Sequence, residues 1–430
     1  MNKKVLIITY YWPPSGGIGV HRCLKFAKYL RQFGWEPVIY TAANAHYPYL
    51  DESNFKHIPE GITVLKKNII EPFSFYKRFT GKQINEPMSN PLHIRGKKQN
   101  WKEKLSIWLR GNFFIPDARS LWIRPSVSYL TEYLSKNPVD AIISDGPPHT
   151  NTTIACRVSQ KTGIPWLADF QDPWTQVDYY KLFPFTRRAD NKHKRLEQDA
   201  LKTAKKTTIA SPTWKKDLEN IGGHNVDVIY WGYDEDDFEG AKSNKNPDEF
   251  VISHAGLFGF DRLPDQFFKA LSELKAEYPE FSKKLRIKLA GMIDFSVLES
   301  LKQNGLNENF QNLGNLKREE ALQLTLDSDL LLLPLNKADN IMGRVPGKLF
   351  EQLRSNNPIL VLGPHGSDVQ HIVESSGCGK SFNYDEKEAL KSFTNSVFEK
   401  EITFSAGDIT EYSVKNQVKK LSVYLNSISQ

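Results

Sequence analysis

Residues 4–30 read KVLIITYYWPPSGGIGVHRCLKFAKYL, and this stretch decides the fold. Its apolar start, Val5–Thr9, is rich in β-branched and aliphatic residues, which is typical of a strand buried on both faces. A Pro-Pro pair ends the strand because proline lacks the N–H that a ladder or helix needs. Apolar residues then recur at helical spacing over His21–Leu30, and EPVIYTA at 36–42 predicts the next strand. The pattern indicates a strand–loop–helix–strand unit of a parallel sheet.

The loop between strand and helix carries Gly16, Gly17 and Gly19. A helix N-terminus presents unpaired N–H groups, and glycines let the backbone approach a phosphate or sugar without a Cβ clash. His21 and Arg22 on the first helical turn could add positive charge. The alternative is a flexible turn with solvated basic residues, but three glycines are more than a turn needs. The loop is not a dinucleotide fingerprint, because Arg22 stands where the third glycine belongs.

Length and composition favour a cytoplasmic globular protein. The 430 residues are enough for two or three domains, and 40% hydrophobic with 25% charged residues is ordinary globular composition. Cys23, Cys156 and Cys378 lie far apart in no metal-binding spacing, which predicts free thiols in a reducing compartment. The sequence shows neither a signal peptide nor an apolar run long enough to span a membrane.

Positive charge is concentrated in residues 92–124, where eight Lys or Arg stand against two Asp or Glu. Trp101, Leu105, Trp108 and Leu109 fall on one helical face, with basic residues around it. This is the composition of a helix lying on an anionic membrane surface. The alternative is a helix docked on its own domain with basic side chains reaching into solvent. No motif supports binding to nucleic acid, which we do not expect as a partner.

The strand–turn–helix rhythm recurs along the chain. Apolar runs end in turns at VDAIISDGPPHT, IPWLADFQDPW, FVISHAGLFG and NPILVLGP, and a polar segment at 234–250 predicts a linker. The fold class is therefore α/β, with two doubly wound, Rossmann-like parallel-sheet domains and an interdomain cleft. We expect domains at 1–240 and 241–407, and a C-terminal helix at 408–430 that packs back on the first domain.

Three residues of the second domain form a candidate anion site. Arg262 follows a glycine-bearing strand exit, HAGLFGFDR, and precedes a helix. Lys348 lies in the first turn of another helix, where a cation is disfavoured unless an anion binds there too. Glu351 follows three residues later on the same face. Arg262 and Lys348 could grip a diphosphate while Glu351 accepts from a ribose; the alternative is a surface arginine and an i,i+3 Lys–Glu pair.

Together, the segments YYWPPSGGIGVHR, SDGPPHT, LADFQDPW and VPGKLFEQLRSNNPIL resemble GT-B glycosyltransferases of family four. The resemblance extends over nearly the whole chain, with the motifs in the same order. It implies a retaining enzyme that takes a nucleotide-sugar donor, in many cases for bacterial surface-polysaccharide assembly. It also implies donor phosphate contacts from Gly16, Gly17, Arg262 and Lys348, and a ribose contact from Glu351.

For the reacting sugar and the acceptor side, the resemblance implies His149, Gln171 and Asp172 as catalytic residues. Three positions depart from the family. Gly343 occupies the first position of its Glu-x7-Glu pair, an acid that steers the donor sugar's hydroxyls. Gln171 stands where the related subgroup usually has arginine, and Trp231 replaces a common asparagine.

The implied reaction is transfer at an anomeric carbon, with preplaced cations stabilising the departing diphosphate. The sequence has no Asp-x-Asp motif at a suitable position, so we expect no metal and no cofactor. The partners are then a nucleotide-sugar donor and a glycan or lipid-linked acceptor, with peripheral contact to an anionic membrane. The competing hypothesis is a non-catalytic sugar- or nucleotide-binding scaffold of the same fold. A dinucleotide oxidoreductase would need a complete glycine fingerprint, which is missing.

Overall fold

The computed structural model describes residues 2–71 and 101–430. Contacts divide the chain into two compact units. The first comprises Met1–Tyr230 with Lys415–Gln430, and the second comprises Trp231–Val414. Each unit is built around one parallel sheet.

The sheet of the first unit has seven strands in the order β3-β2-β1-β4-β5-β6-β7, all paired in parallel. The strands are β1 (Lys3–Ile8), β2 (Trp35–Ala42), β3 (Thr63–Lys67), β4 (Ala141–Gly146), β5 (Trp166–Phe170), β6 (Lys206–Ile209) and β7 (Val226–Val228). The connecting helices are α1 (Ile18–Leu30), α2 (Trp101–Phe113), α3 (Ile123–Lys136), α4 (His149–Thr162), α5 (Arg187–Thr203) and α6 (Pro212–Asn220).

Helix α1 shows why the opening stretch folds as it does. Gly17 is its N-cap with φ of 80°, a left-handed conformation that glycine adopts without strain. The helix buries one apolar face, which includes Val20, Leu24 and Ala27. It runs into a short 3-10 turn that Gly34 closes with φ of 81°. This crossover places β2 beside β1, as a right-handed parallel connection requires.

The sheet of the second unit has six parallel strands in the order β10-β9-β8-β11-β12-β13. These are β8 (Phe250–Ala255), β9 (Leu285–Ala290), β10 (Phe310–Asn312), β11 (Leu330–Pro334), β12 (Ile359–Leu362) and β13 (Gly379–Phe382). Its helices are α7 (Asp265–Glu277), α8 (Pro279–Lys284), α9 (Phe295–Gln303), α10 (Arg318–Leu326), α11 (Lys348–Ser355), α12 (Asp368–Ser375) and α13 (Lys387–Phe398).

Both sheets reverse their strand order at one point, between β1 and β4 in the first unit and between β8 and β11 in the second. In open parallel sheets, ligands bind outside the carboxyl ends of the strands at such a switch point. The loops after these four strands therefore mark where each unit can hold a ligand. The central strands are buried on both faces, so the residues that can contact a ligand lie in the loops at the strand ends.

The last helix, α14 (Val414–Ile428), carries the chain back to the first unit. Gln417 accepts a hydrogen bond from the Tyr230 backbone at 2.9 Å, and the Lys206 ammonium lies 4.4 Å from the centre of the Tyr424 ring. The three cysteines are buried free thiols. In the described part of the chain, no helix is both long and apolar enough to cross a membrane.

Candidate functional site

The loop that leaves β8 depends on two glycines in close contact. Gly256 has φ of 130°, and its N–H donates to the Ala290 carbonyl at 2.9 Å. A β-carbon on Gly291, whose φ is 103°, would lie only 2.4 Å from the Gly256 carbonyl oxygen. No side chain fits between these two backbones, so both glycines are required for the shape of the loop at the switch point.

The ammonium of Lys348 lies against this loop. Its Nζ donates to the Ala255 carbonyl at 3.0 Å and to Nε2 of His254 at 3.1 Å. A β-carbon on Gly256 would lie 3.2 Å from the same Nζ, so the glycine makes room for the cation. Lys348 is the first residue of α11, and the structure therefore places a positive charge at a helix N-terminus beside exposed loop backbone.

His254 is the acceptor in this contact. Its Nδ1 lies 2.9 Å from the Leu332 carbonyl oxygen, which can only accept a hydrogen bond, so the proton is on Nδ1. Nε2 then carries no proton, and its lone pair accepts a hydrogen bond from Lys348. Burial and the neighbouring Lys348 ammonium hold the pKa of His254 well below its usual value, so the ring is neutral.

Arg262 supplies the second cation. It lies in the 3-10 turn Phe260–Arg262 after β8, and its guanidinium makes two 3.1 Å hydrogen bonds to the Asp261 carboxylate. Burial, together with the positive charge of Arg262, lowers the pKa of Lys348 to about 7 even though the negative charge of Glu351 acts in the opposite direction. Because charging Lys348 is unfavourable without a counter-charge, this arrangement favours an anionic ligand.

The carboxylate of Glu351 is oriented by Arg318 rather than by Lys348. Arg318 Nη2 lies 2.6 Å from Glu351 Oε1 and 2.7 Å from Asp237 Oδ2. Burial lowers the pKa of Arg318, but the two carboxylates outweigh that effect and raise it above its ordinary value. The i,i+3 Lys–Glu pair is therefore not the arrangement found, and the second oxygen of Glu351 can still accept from a ligand hydroxyl.

A cavity of about 670 Å³ lies beyond the carboxyl ends of β11, β12 and β13. Its volume is in the range of small-molecule sites. Its lining starts at Leu263, the residue after Arg262, and includes none of Arg262, Lys348 and Glu351. At its edge the Lys337 backbone N–H donates to the Asp261 carbonyl at 2.8 Å. It is lined by Leu263, Asp265, Gln266, Lys337, Ala338, Asp339, Ile341, Gly363, Pro364, Asn383, Tyr384 and Asp385.

In the first unit, the glycine loop is held by a neighbouring segment. Gly16 N–H donates to the Tyr49 carbonyl at 2.9 Å, and Asp51 N–H donates to the Pro14 carbonyl at 2.8 Å. A β-carbon on Gly16 would lie 3.2 Å from that of Asp51. These contacts bring the backbone of the glycine loop into close approach with the segment at Tyr49 and Asp51.

Arg22 does not add charge to this loop, so that expectation is wrong. Its guanidinium makes a buried, two-bond ion pair with Asp169, with distances of 2.5 and 2.7 Å, and also donates to the Ile229 carbonyl at 3.0 Å. The arginine faces the sheet because a buried carboxylate at the end of β5 needs a counter-charge.

Sequence reasoning missed Asp145, the acid of SDGPPHT, which lies buried in β4. It accepts from the Thr9 hydroxyl at 2.9 Å and from the side-chain amide of Gln171. Burial and the neighbouring Asp169 raise the pKa of Asp145 to about 7. Gln171, a predicted catalytic residue, is itself buried and engaged with this acid, so its side chain anchors the strand exit. The signal was present as an acid at a predicted strand end.

His149 begins α4, and its ring stacks on Trp174 with centroids 4.3 Å apart. Its Nδ1 is buried and lacks a hydrogen-bond partner among the residues described. Burial lowers the pKa of His149 to about 3, so the imidazole is neutral at physiological pH. Asp172 follows Gln171 and is partly exposed.

The basic segment is described only from residue 101 onward; residues 92–100 lie outside the described residues. Helix α2 exposes its apolar side chains, with Trp101 at 67% and Phe113 at 65%. The backbone N–H of Thr186 donates to the Asn112 side chain at 2.7 Å and holds the end of the helix. Arg119 instead points inward, 3.4 Å from Glu71 and 4.5 Å from the Tyr10 ring centre.

A metal site would need several His, Cys, Asp or Glu side chains close together. Within residues 2–71 and 101–430, no three His, Cys, Asp or Glu side chains are grouped so that they could hold a metal ion. The expectation that the protein works without a metal stays a prediction.

No protein-family model and no curated protein matches the sequence. Solved structures do match. The lipopolysaccharide outer core galactosyltransferase WaaB, in its apo form, aligns over 98% of this chain and 99% of its own, with 11% identity and a TM-score of 0.57. WaaG, a glycosyltransferase involved in lipopolysaccharide biosynthesis, aligns over 99% and 97%, with 13% identity and a TM-score of 0.51.

A third similar structure is an enzyme of another activity. UDP-GlcNAc 2-epimerase from Neisseria meningitidis, bound to UDP-GlcNAc, aligns over 99% of this chain and 100% of its own, with 13% identity and a TM-score of 0.53. The predicted fold class is confirmed: the chain has two Rossmann-like parallel-sheet domains of the GT-B type, a fold that glycosyltransferases and UDP-GlcNAc 2-epimerases share.

Proposed function

We propose that the protein is a retaining, metal-independent glycosyltransferase that moves a sugar from a nucleotide-sugar donor to a glycan or lipid-linked acceptor in cell-surface polysaccharide synthesis. The observation that carries the proposal is the pair of cations, Lys348 and Arg262, at the switch point of the second sheet. Arg262 is paired with Asp261, whereas Lys348 donates to two neutral acceptors, so a nucleoside diphosphate would supply the counter-charge for Lys348.

In this proposal the chemistry follows from charge. As the bond from the anomeric carbon to the diphosphate breaks, negative charge grows on the leaving oxygen, and Lys348 and Arg262 stabilise it without reorganisation. Glu351, held by Arg318, accepts from the ribose hydroxyls. The cavity that begins beside Arg262 has room for the transferred sugar. Gly343, in place of the family's acid, leaves that sugar's identity open.

The first-unit residues keep their predicted roles as proposals. Asp172 is partly exposed, so its carboxylate can contact a sugar or acceptor hydroxyl. The unpartnered Nδ1 of His149 is buried, so the role of His149 requires the ring to become accessible when the substrates bind. Gly16 and Gly17 offer loop backbone to the donor. Gln171 acts by holding the β5 exit segment, since its amide is engaged with Asp145.

The similar structures support the choice of donor. One is bound to UDP-GlcNAc and another, MnaA from S. aureus, is a complex with UDP. UDP and its sugars are therefore the first ligands to test, with GDP, ADP and dTDP as comparisons. The alternative of a non-catalytic scaffold rests on the engaged amide of Gln171 and on Gly343 in the first acidic position.

A thermal-shift panel of nucleoside diphosphates tests the proposal. Ligand at about a hundredfold over its dissociation constant stabilises by about 2.7 kcal/mol, enough to rank the bases. Lys348→Met should greatly reduce the shift, and Lys302→Met, on the exposed face of α9, should retain it. Turnover of the matching nucleotide sugars then separates the functions: acceptor-dependent nucleotide release indicates transfer, a new sugar epimer indicates an epimerase, and binding without turnover indicates a scaffold. If no nucleoside diphosphate binds, the proposal is wrong.

Membrane contact is part of the same proposal. Helix α2 exposes Trp101, Leu105, Trp108 and Leu109 beside basic residues. Aromatic and aliphatic side chains insert at the headgroup level while lysines and arginines attract anionic lipid. Such a surface would bring the enzyme to a lipid-linked acceptor.

A further inference from the structure

His254 makes two different hydrogen bonds from its two ring nitrogens. Nδ1–H donates to the Leu332 carbonyl on the neighbouring strand β11, at 2.9 Å. Nε2 accepts from the Lys348 ammonium at 3.1 Å. The residue is 1% exposed and lies at the end of β8, the first strand of the switch point. A buried ring of one fixed tautomer is therefore directed at the cation of the candidate phosphate site.

We propose that His254 is a positioning residue that holds the Lys348 ammonium at the carboxyl edge of the second sheet, ready for the donor diphosphate. The proposal rests on the proposed function, because the diphosphate is the ligand that it serves. His254 itself acts through Lys348.

The geometry explains why a neutral acceptor is needed at this place. A lysine ammonium has three N–H donors. In the described residues, His254 and the Ala255 carbonyl take two of them, which leaves one donor for a ligand. A carboxylate in the position of His254 would neutralise the cation and compete with the diphosphate. An apolar side chain would leave the ammonium with a single acceptor, and its orientation would be lost.

The charged groups that face Lys348 come from several elements. Arg262 approaches from the turn after β8, and Glu351 from the same helix α11. Arg318, from α10, holds Glu351 by a 2.6 Å ion pair, and Asp261 pairs with Arg262 at 3.1 Å. Burial and the positive charge of Arg262 make Lys348 easily deprotonated in the unliganded protein, and Glu351 opposes this effect. The His254 lone pair stabilises the protonated form, which is the form that binds an anion.

Two substitutions separate the two bonds of His254. Asparagine places an amide near the position of Nδ1, so His254→Asn keeps a donor for Leu332 and loses the acceptor for Lys348. Glutamine places its amide oxygen near the position of Nε2, so His254→Gln keeps the acceptor and loses the Leu332 bond. A purely structural histidine would tolerate asparagine and not glutamine, which is the opposite of what a positioning role requires.

The first readout is the affinity for UDP by calorimetry in the full-length protein. Because hydrogen bonds to charged groups are the stronger class, His254→Asn should bind UDP about tenfold or more weakly, while His254→Gln stays within about threefold of the unmodified protein. Thermal unfolding of each variant without ligand checks that it folds.

The second readout needs no nucleotide. Acetylation of Lys348 by acetic anhydride, followed by mass spectrometry across a pH series, reports the pH at which the amine becomes reactive. The midpoint should fall in His254→Asn and stay unchanged in His254→Gln. Equal midpoints and equal UDP affinities in both variants would overturn the positioning role. If the unmodified protein binds no nucleoside diphosphate but the acetylation midpoint still falls in His254→Asn, the proposed function is overturned and the His254–Lys348 interaction is established.

Discussion

Replacing Lys348 with methionine removes the positive charge and keeps most of the side-chain volume. Among the residues that the structure describes, this ammonium donates to two neutral acceptors, His254 and Ala255, so neither bond offsets its charge toward a ligand. Removing one preorganised donor to a developing or bound anion costs about 2–4 kcal/mol, or about 30- to 1000-fold in affinity and turnover. The diphosphate would keep Arg262, so some binding should persist.

The pH dependence of binding gives the same prediction a second check. Burial holds the pKa of Lys348 at about 7 in the unliganded protein, and a bound diphosphate must raise it. The binding form is the ammonium, whose fraction falls as pH rises through that pKa. Affinity should therefore be level just below about pH 7 and fall about tenfold per pH unit above it, until the pKa of the complex is reached.

Calorimetry at about pH 8 in two buffers of different ionisation enthalpy measures this coupling directly. The unmodified protein and Lys302→Met should take up nearly one proton per UDP bound, and Lys348→Met should take up almost none. A Lys348→Met protein with unchanged UDP affinity and unchanged proton uptake would show that the phosphate site lies elsewhere.

Three further predictions follow from other parts of the structure. Glu351→Gln should weaken UDP more than inorganic pyrophosphate, because we propose that this carboxylate accepts from the ribose; equal losses for the two ligands would remove it from that role. Asp145 has its pKa raised to about 7 by burial, so its own contribution to stability should fall as pH rises from about 4 to 7, while the unfolded state ionises and the folded acid does not. Asp145→Asn should remove this contribution, so in denaturant unfolding the stability of the variant relative to the wild type should rise from about pH 4 to about pH 7; a difference that does not change with pH would refute it. The protein should co-sediment with vesicles of anionic lipid at low salt, with release as salt rises. A Trp101→Ser/Trp108→Ser variant should lose this binding, and a wild-type protein that stays in the supernatant would refute membrane docking.

The sequence was sufficient to predict the two doubly wound domains. Buried strands such as β1 and β11 read as continuous apolar runs, and prolines and glycines mark where they end. These signals depend on residues that are close together along the chain, so a single sequence is enough to detect them. The same signals placed Lys348, Arg262 and Glu351 at strand or helix ends of the second unit.

Side-chain partners could not be predicted in the same way. Arg22 was interpreted as a loop cation, but its partner Asp169 lies 147 residues away along the chain. His254 meets Lys348 across 94 residues and Arg318 meets Glu351 across 33. Such contacts depend on which strands become neighbours, and periodicity carries no information about strand order. Charge was visible in the sequence, whereas the direction of each charged side chain was not.

The most direct test of the central claim is nucleotide release from a UDP-sugar in the presence and absence of extracted cell-envelope glycolipid. The account predicts release that depends on the glycolipid, that continues in Lys302→Met and that falls about 30-fold or more in Lys348→Met. Proton NMR of the glycolipid product should show the anomeric configuration of the donor retained. Release that is equal in Lys348→Met and the unmodified protein, or a product that is only an epimer of the donor sugar, would contradict the account.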